Sequence, residues 1–341
     1  MRRRSFAFAV PLLAGLLPLS SIASAQDAQD VKERTIRFGF AWEANHPVAL
    51  AANRFAEIVA AKSGGKIKVK VYPSNQLGVD MQQMSAVMGG VQEMMAHASA
   101  QLAGAVKEFG LLDSPYIVTT EQQADALLDG PLGQALLEML PPKGMIGLGY
   151  WENGFRHTTN SKRPITKVED FSGLKFRVQP SPIFIETFKA FGTNPITMSF
   201  SELYPALEVG AADAQENPLL NILTANLYEV QKYLSLTGHV YGNGVILVSK
   251  KFWDRLSQAE KKILEDAFVE ARGYQRQESR RQAHEAIGEL KAKGMQVNEI
   301  APAELDRMRQ ATQPIKDKFI AQYDPAIVKT FQAELERIKT Q

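Results

Sequence analysis

The chain contains no cysteine among its 341 residues. A disulfide framework and lipid attachment to a processed cysteine are therefore excluded. The sequence also lacks the Gly-x-Ser-x-Gly, His-Glu-x-x-His and Gly-Lys-Ser/Thr motifs of hydrolases, zinc proteases and nucleotide-binding loops. Its five histidines show no metal-ligand spacing. These absences make a periplasmic enzyme a weak alternative, and we predict neither a metal nor a cofactor.

The sequence has little net charge and no long apolar run after its N-terminus. The formal charge is +2, and without the three arginines of the first 25 residues 36 basic and 37 acidic groups remain. No global field attracts nucleic acid or an anionic membrane, so we expect neither as a partner. No later apolar run approaches the ~20 residues of a transmembrane helix.

The N-terminus has the pattern of a secretory signal peptide. Arg2–Arg4 precede the almost wholly apolar stretch Phe6–Leu19, and Ala23–Ala25 forms a small-x-small cleavage site. We predict a signal peptide over residues 1–25, cleavage after Ala25 and release into the periplasm. General secretory export is favoured, although the paired arginines also suggest the twin-arginine route.

The chain after the signal peptide alternates predicted strands and helices. Residues 35–40 and 66–72 show the alternation of half-buried strands, and Pro47 opens a helical pattern between them. This rhythm continues to about residue 153 and predicts an α/β domain with a largely parallel sheet, in which ligands lie beyond the carboxyl ends of the strands. The length suggests two domains.

Arg177 lies one step from the end of a predicted strand, Leu174–Val178, in which apolar and basic residues alternate. A guanidinium can hold a planar carboxylate through two parallel hydrogen bonds, which lysine cannot do. From the spacing alone, an ordinary surface arginine on an edge strand is the more frequent explanation.

An ordered set of motifs between residues 152 and 249 is similar to the centre of a known family. The motifs are Gly154-Phe155-Arg156, Gly173–Val178, Met198-Ser199-Phe200, Asp213–Pro218, Glu229–Leu234 and Thr237-Gly238-His239. The sequence resembles the dicarboxylate-type solute-binding proteins of tripartite ATP-independent periplasmic (TRAP) transporters, and weaker similarity extends from Arg37 to about Lys293. The resemblance implies a receptor that binds a small organic carboxylate, a C4-dicarboxylate or similar, and delivers it to TRAP membrane subunits. A periplasmic sensor component is the alternative.

The resemblance also implies a two-lobed α/β periplasmic binding protein fold, with a ligand cleft between the lobes and one long helix spanning both. We predict lobe I over residues 30–153 and 243–282, and lobe II over residues 154–242 and 283–341. We expect a monomer, because nothing in the sequence indicates an oligomer.

The long helix has its own sequence signal. Ser257-x-x-Glu260 is a capping box, and no proline follows until Pro302. Apolar patches lie at both ends of this run, whereas residues 272–282 are nearly all polar. The pattern predicts a strut with a solvated middle that touches both lobes. Two helices with a break at a glycine are the alternative.

Five residues in predicted lobe II receive roles from the resemblance. Arg177 matches the arginine that clamps the substrate carboxylate, and Asn217 matches the asparagine that assists it. Arg156, Glu216 and His239 match a polar network that orients a water or the second polar end of the ligand. Without the resemblance, plain structural pairing would be the preferred explanation of Glu216 and His239.

Five further residues are candidates for lining the pocket. Phe200 matches an aromatic that closes over the substrate, although a lone phenylalanine would pass for core. Trp151 and Tyr241 are candidates for setting the size of the ligand. From lobe I come Ser99, at the end of a predicted strand, and His46, which could equally cap a helix.

The class of carboxylate stays open at this point. One arginine clamp indicates a carboxylate, whereas the far end of the ligand depends on side chains that the sequence does not place. Ala41 and Ala98 stand where sialic-acid-type members have polar contacts, which argues against a large sugar acid.

Overall fold

The computed structural model describes residues 30–339, so the predicted signal peptide and its cleavage site lie outside the described residues. Within this range the strands form one mixed sheet. They are β1 (Arg34–Gly39), β2 (Ile67–Tyr72), β3 (Met94–Ala98), β4 (Met145–Asn160), β5 (Lys175–Val178), β6 (Asn194–Thr197), β7 (Ala214–Pro218), β8 (Tyr233–Ser249) and β9 (Gln296–Glu299).

Helices cover both faces of this sheet. They are α1 (Pro47–Lys62), α2 (Asp80–Gly89), α3 (Ser99–Leu102), α4 (Glu121–Asp129), α5 (Pro131–Glu138), α6 (Pro182–Ala190), α7 (Leu203–Glu208), α8 (Leu219–Thr224), α9 (Lys250–Trp253), α10 (Gln258–Ala292), α11 (Pro302–Ile320) and α12 (Pro325–Ile338). Short 3-10 turns include Lys107–Asp113 and Phe200–Glu202. Within residues 30–339, no helix has the length and apolarity needed to cross a bilayer.

The strand order is β2-β1-β3-β8-β4-β7-β5-β6, with β9 also paired to β8. The outer strands of each lobe are parallel, as the alternation of strands and helices predicts. The sheet as a whole is mixed instead of largely parallel, because β4 and β8 are antiparallel to each other and continue from one lobe into the other. These two strands therefore connect the lobes, and we call β4 and β8 the hinge strands.

The crossing between the lobes occurs at a bulge in the β4–β8 ladder, between Glu152 and Gly154. Gly154 has φ of +99°, a conformation that side chains rarely adopt, and it pairs with Gly242. A Cβ on Gly242 would lie 3.3 Å from the carbonyl oxygen of Gly154. Glycine at both positions allows the two backbones to pass closely where the chain changes lobe.

Helix α10 is continuous over 35 residues, about 50 Å at 1.5 Å per residue. Ser257 accepts a hydrogen bond from the backbone N–H of Glu260, and the Glu260 side chain accepts one from the backbone of Ser257, as the capping box predicts. Phe268 packs in a core cluster of lobe I and Leu290 in one of lobe II. The helix therefore spans both lobes.

The middle of α10 is not solvated on all sides, which corrects the sequence prediction. Gln275 is 0% exposed, and its amide both donates to the carbonyl of Glu152 and accepts from the N–H of Glu152, each at 2.7 Å. Arg280 donates to the Glu152 carboxylate at 2.8 Å. Gln275 and Arg280 therefore attach the helix to Glu152 of β4. Their burial costs little because their polar groups have hydrogen-bond partners.

The last two helices pack on different lobes. Helix α11 lies against α6 of lobe II, whereas α12 lies against α4 and α5 of lobe I. Phe331 and Ile338 of α12 are buried in the hydrophobic cluster of lobe I that contains Leu128. The predicted boundary instead placed residues 283–341 entirely in lobe II. The apolar face of α12 packs against α4 and α5, because the chain returns to lobe I after α11.

Candidate ligand-binding site

A cleft lies between the two lobes, with about 380 Å³ of empty space, part of it open to solvent. Residues from both lobes line it: Ala41, Trp42, Asp80, Ala98, Gln101 and Asn153 from lobe I, and Arg156, Arg177, Gln179, Phe200, Asn217 and Asn221 from lobe II. The lining includes four of the residues that the sequence predicted for the site, all of them in lobe II: Arg156, Arg177, Phe200 and Asn217. The lining residues Ala98 and Arg177 lie at the carboxyl ends of β3 and β5. The cavity therefore lies where ligands bind in sheets with parallel strands.

Arg177 is the penultimate residue of β5 and is 2% exposed. Its Nε and Nη2 donate to the carbonyl of Met198 at 3.2 and 2.8 Å, which fixes the plane of the guanidinium. Burial lowers the pKa of Arg177 to about 10, so the group is still charged at neutral pH. It makes no ion pair with residues 30–339. The Nη1–Nη2 edge therefore remains for a planar anion.

Arg156 and Glu216 form a buried ion pair on neighbouring strands. Nε and Nη2 of Arg156 donate to the two carboxylate oxygens of Glu216 at 2.5 and 2.8 Å. The antiparallel pairing of β4 with β7 places the two residues diagonally, because Arg156 pairs with Pro218 and Glu216 with Thr158. The pair neutralises Arg156, so its charge is already satisfied before any ligand enters.

His239 completes this cluster, as the sequence predicts. Its Nε2 lies 3.1 Å from the Glu216 carboxylate, and its Nδ1 lies 2.8 Å from the hydroxyl of Thr237. Burial raises the pKa of Glu216, but Arg156 and His239 outweigh this effect and hold it below the ordinary value. Burial lowers the pKa of His239 although Glu216 opposes the change. Glu216 is therefore a carboxylate that receives hydrogen bonds from two sides.

Asn217 stands at the point where the cluster reaches the cavity. Its Oδ1 accepts hydrogen bonds from Arg156 at 3.1 Å and from Asn221 at 3.0 Å, and its Nδ2 donates to Gln215. The Gln215–Asn217 run lies within β7. Extended backbone there alternates the side chains, so Asn217 lines the cavity and Glu216 lies behind it.

Phe200 is half-buried and lines the cavity from lobe II. It begins the 3-10 turn Phe200–Glu202, two residues after the carbonyl that holds Arg177. Ser201, a residue type favoured at helix N-termini, does not cap this turn. The cap lies earlier, since the N–H and hydroxyl of Ser199 donate to Glu202. This turn places Phe200 in the same cavity lining as Arg177.

Three predicted pocket residues do not line the cavity. Trp151 is buried in the core of lobe I, where its ring stacks on Phe268 with centroids 6.4 Å apart. Tyr241 packs edge-on against Phe155 at 5.1 Å and lies in another core cluster. Ser99 is buried at the start of α3. The two aromatic side chains lie on faces of the hinge strands that helices cover, so they pack in the protein core.

His46 caps α1 instead of lining the cavity. Its Nδ1 accepts a hydrogen bond from the N–H of Val48 at 3.2 Å, and its ring stacks on Trp42 at 6.1 Å. Burial lowers the pKa of His46 to about 3, so the imidazole is neutral. The ring contacts two residues of the cavity lining, Trp42 by stacking and the side chain of Asn221. A capping role for His46 is the alternative left open by the sequence.

Asp80 is the main lining residue that sequence reasoning missed. It is 4% exposed at the first position of α2, its Oδ2 accepts from Gln101 at 3.3 Å, and its Oδ1 lies 3.4 Å from Nδ1 of His97. Burial raises the pKa of Asp80, but His97, Gln101 and Arg177 outweigh it, and the pKa lies below the ordinary value. An acid in a first helical turn usually serves the helix dipole. The sequence signal that could have identified Asp80 as a lining residue is its position after strand β2, near the carboxyl edge of the sheet.

The sequence pattern of the bacterial extracellular solute-binding proteins of family 7 (DctP) matches residues 38–322. The chain belongs to this family. The 2,3-diketo-L-gulonate-binding periplasmic protein YiaO of Escherichia coli K12 is 35% identical over 297 residues, which cover 87% of this chain and 88% of the relative. The C4-dicarboxylate-binding periplasmic protein DctP of Rhodobacter capsulatus is 30% identical over 310 residues, 90% and 93% of the two chains.

A solved structure shows the same fold. The sugar acid binding protein DctPAm of Advenella mimigardefordensis, in complex with galactonate, superposes with a TM-score of 0.88 and 40% identity. The superposition covers 91% of this chain and 100% of that one. The predicted membership of the TRAP family and the predicted two-lobed α/β fold are thereby confirmed. Family 7 members bind organic acids for transporters and are not enzymes, which confirms that prediction as well.

The acidic and histidine residues of this family 7 protein do not form a metal site in the described part of the chain. Across residues 30–339, no three or more of the possible side-chain ligands come together in a metal-binding group. Asp80, which lines the cavity, accepts a hydrogen bond from Gln101, and Glu216, which lies behind Asn217, is paired with Arg156.

Proposed function

We propose that this protein is an extracytoplasmic receptor that binds a small organic acid anion, a C4-dicarboxylate or a carboxylate of similar size, and delivers it to TRAP membrane subunits. The observation that supports this most is Arg177, a charged guanidinium that is 2% exposed and lacks an ion-pair partner among residues 30–339. A buried charge is costly unless it is paired. A ligand carboxylate supplies the missing partner.

Each lobe II residue then has a role in binding. The Nη1–Nη2 edge of Arg177 holds the carboxylate, and the amide of Asn217 assists it. The Arg156–Glu216 pair, with His239, fixes Asn217 in position. Phe200 covers the bound carboxylate and keeps water away, which strengthens the interaction with Arg177 by lowering the local dielectric.

Delivery requires that the lobes open and close. Because ligand contacts come from both walls of the cavity, a bound ligand favours the closed arrangement, and β4 and β8 carry the hinge. Small-angle scattering of the mature protein should show compaction on saturation with ligand. Identical scattering curves would indicate a rigid site. We further propose that the mature protein begins at Gln26, lies in the periplasm and is a monomer.

The binding proposal is tested on ligand-stripped mature protein. A thermal-shift screen of organic acids should find at least one that raises Tm with concentration, since a ligand at 100 times its Kd stabilises the native state by about 2.7 kcal/mol. Calorimetry of this acid should show that Arg177→Ala abolishes binding, whereas Arg54→Ala, at an exposed arginine, leaves it intact. Binding that survives Arg177→Ala would contradict the proposal.

A further inference from the structure

The lobe I wall of the cavity carries one acidic side chain among the described lining residues. Asp80 is buried there, and its nearest polar partners are the amide of Gln101 and the ring of His97. No arginine or lysine of residues 30–339 forms an ion pair with it. A carboxylate can accept about four hydrogen bonds, so Asp80 retains acceptor capacity toward the cavity.

The cations of the cavity are not sufficient for two ligand carboxylates. Within the described residues, Arg156 and Arg177 are the cations of the lining, and Arg156 is already paired with Glu216. The first carboxylate of a ligand binds the guanidinium of Arg177. A second carboxylate at the far end of the ligand would find no free cation there and would approach the charge of Asp80, and like charges repel strongly in a low-dielectric cavity.

The remaining polar lining consists of side-chain amides. The Oδ1 of Asn153 accepts from the indole N–H of Trp42 at 3.2 Å, which leaves its Nδ2 as a donor. The Nε2 of Gln101 donates to Asp80, which leaves its Oε1 as an acceptor. Gln179 adds a further amide. Hydroxyl groups match this lining, because a hydroxyl both donates and accepts.

An ammonium group fits the same wall less well. It would satisfy Asp80, but it offers no acceptor for the amide N–H groups of Asn153 and Gln179. Donors that stay unpaired in a closed cavity cost free energy, so the amides favour a group that can receive hydrogen bonds.

We propose that the ligand is a polyhydroxylated monocarboxylate of the sugar-acid type, with its carboxylate on Arg177 and a hydroxyl group donating to Asp80. This inference rests on the proposed function and narrows the range of ligands, because it excludes C4-dicarboxylates and other diacids. Asp80 is then the residue that distinguishes a terminal hydroxyl from a terminal carboxylate.

Matched pairs of acids that differ only at the end remote from the first carboxylate test this inference. D-Gluconate is compared with D-glucarate, D-galactonate with galactarate, and L-threonate with L-tartrate, by calorimetry on the wild-type protein. In every pair that binds, the monocarboxylate should be tighter by at least about tenfold, a difference of ~1.4 kcal/mol. Asp80→Asn should reduce this preference to less than about threefold, because it removes the charge and keeps the shape.

Controls separate the possible outcomes. Asp254→Asn, at an exposed acid of lobe I, should leave the preference unchanged. If Asp80→Asn does not fold, as judged by its thermal transition, the wild-type comparison alone decides. A diacid that binds as tightly as its partner, with binding that still requires Arg177, would overturn this inference and leave the proposed function standing.

Three further outcomes are informative. 4-Aminobutanoate that binds more tightly than 4-hydroxybutanoate would overturn the assignment of a hydroxyl group at Asp80 in favour of an ammonium group. If no acid of these pairs binds while another acid of the thermal-shift screen binds through Arg177, this inference is overturned and the proposed function stands. Failure of every acid in the whole screen would overturn the proposed function as well.

Discussion

The two walls of the cavity hold their polar groups in different ways. On lobe II, Arg156 and Glu216 come from paired strands and are locked by bidentate hydrogen bonds, with Asn217 bound to both Arg156 and Asn221. On lobe I, Asp80 has a single amide hydrogen bond, at 3.3 Å, and Ala41 and Ala98 offer no polar group. In the proposed function the lobe II wall anchors the ligand carboxylate in one geometry, whereas the polar groups of the lobe I wall have fewer fixed partners.

This difference separates affinity from selectivity. Preorganised charges lose little entropy on binding and supply most of the attraction. Selectivity depends on which ligand ends are penalised, and a buried acid such as Asp80 penalises a second carboxylate. Changes on the lobe II wall should therefore weaken all ligands, and changes on the lobe I wall should alter the ranking of ligands.

The largest effect is expected from breaking the anchored wall at Glu216. Glu216→Ala leaves Arg156 buried without a partner, which should lower the free energy of unfolding by about 3–5 kcal/mol and weaken binding of every acid. Urea denaturation measures the loss. The double variant Arg156→Met/Glu216→Ala should be much less damaged than the sum of its single variants, and additive losses would show that the two residues do not act as a unit.

The next largest effect is expected at Asp113, a lobe I residue whose carboxylate accepts a hydrogen bond from the hydroxyl of Ser181 in lobe II at 3.0 Å. Burial raises the pKa of Asp113 from an ordinary 3.8 to about 8. Between these values the folded protein keeps a proton that the unfolded chain releases. The stabilising contribution is therefore complete below the ordinary pKa and is lost as the pH rises through the folded pKa, by up to ~1.4 kcal/mol per pH unit.

Asp113→Asn should remove this dependence. The difference in unfolding free energy between wild type and variant should change by about 2–3 kcal/mol between pH 5 and pH 7, whereas Asp306→Asn, at an exposed acid, should show no such change. Chemical denaturation at the two pH values measures it. Parallel pH profiles for wild type and Asp113→Asn would contradict a neutral carboxyl group between the lobes.

A smaller effect is expected from keeping the charge of the anchor while changing its shape. Arg177→Lys loses the planar fork that fits a carboxylate, so the affinity for the best ligand should fall by at least about tenfold, or ~1.4 kcal/mol. Calorimetry measures this loss, and Arg54→Lys is the exposed control. Unchanged affinity would mean that Arg177 acts only as a diffuse positive charge.

The smallest effect is expected at His46, which stacks on Trp42 of the lobe I wall. His46→Ala removes the side-chain acceptor for the N–H of Val48 and should cost about 1 kcal/mol of stability, while ligand affinity stays within about twofold. His46→Asn, which restores a capping acceptor, should recover most of the stability. A tenfold loss of affinity in a stable His46→Asn variant would instead support the direct ligand contact that the sequence suggests.

The sequence predicted those features that depend on local patterns. Alternation of apolar and polar residues located the short strands, and the capping box at Ser257 located the start of α10. The family motifs identified Arg177 and Asn217 as residues of the cavity and grouped Arg156, Glu216 and His239, which the structure brings together. These features are predictable because each is encoded within a few neighbouring residues or in an ordered set of motifs.

The tertiary structure alone decided which way the hinge side chains face. Bulges shift the register of β4 and β8 at several points, so counting residues along the strand does not tell that Trp151 and Tyr241 face the core. Asp80 joins the cavity only because the start of α2 lies beside the cleft, and α12 returns to lobe I, where Phe331 is buried. Packing between segments distant in sequence, through burial and charge pairing, determines these placements.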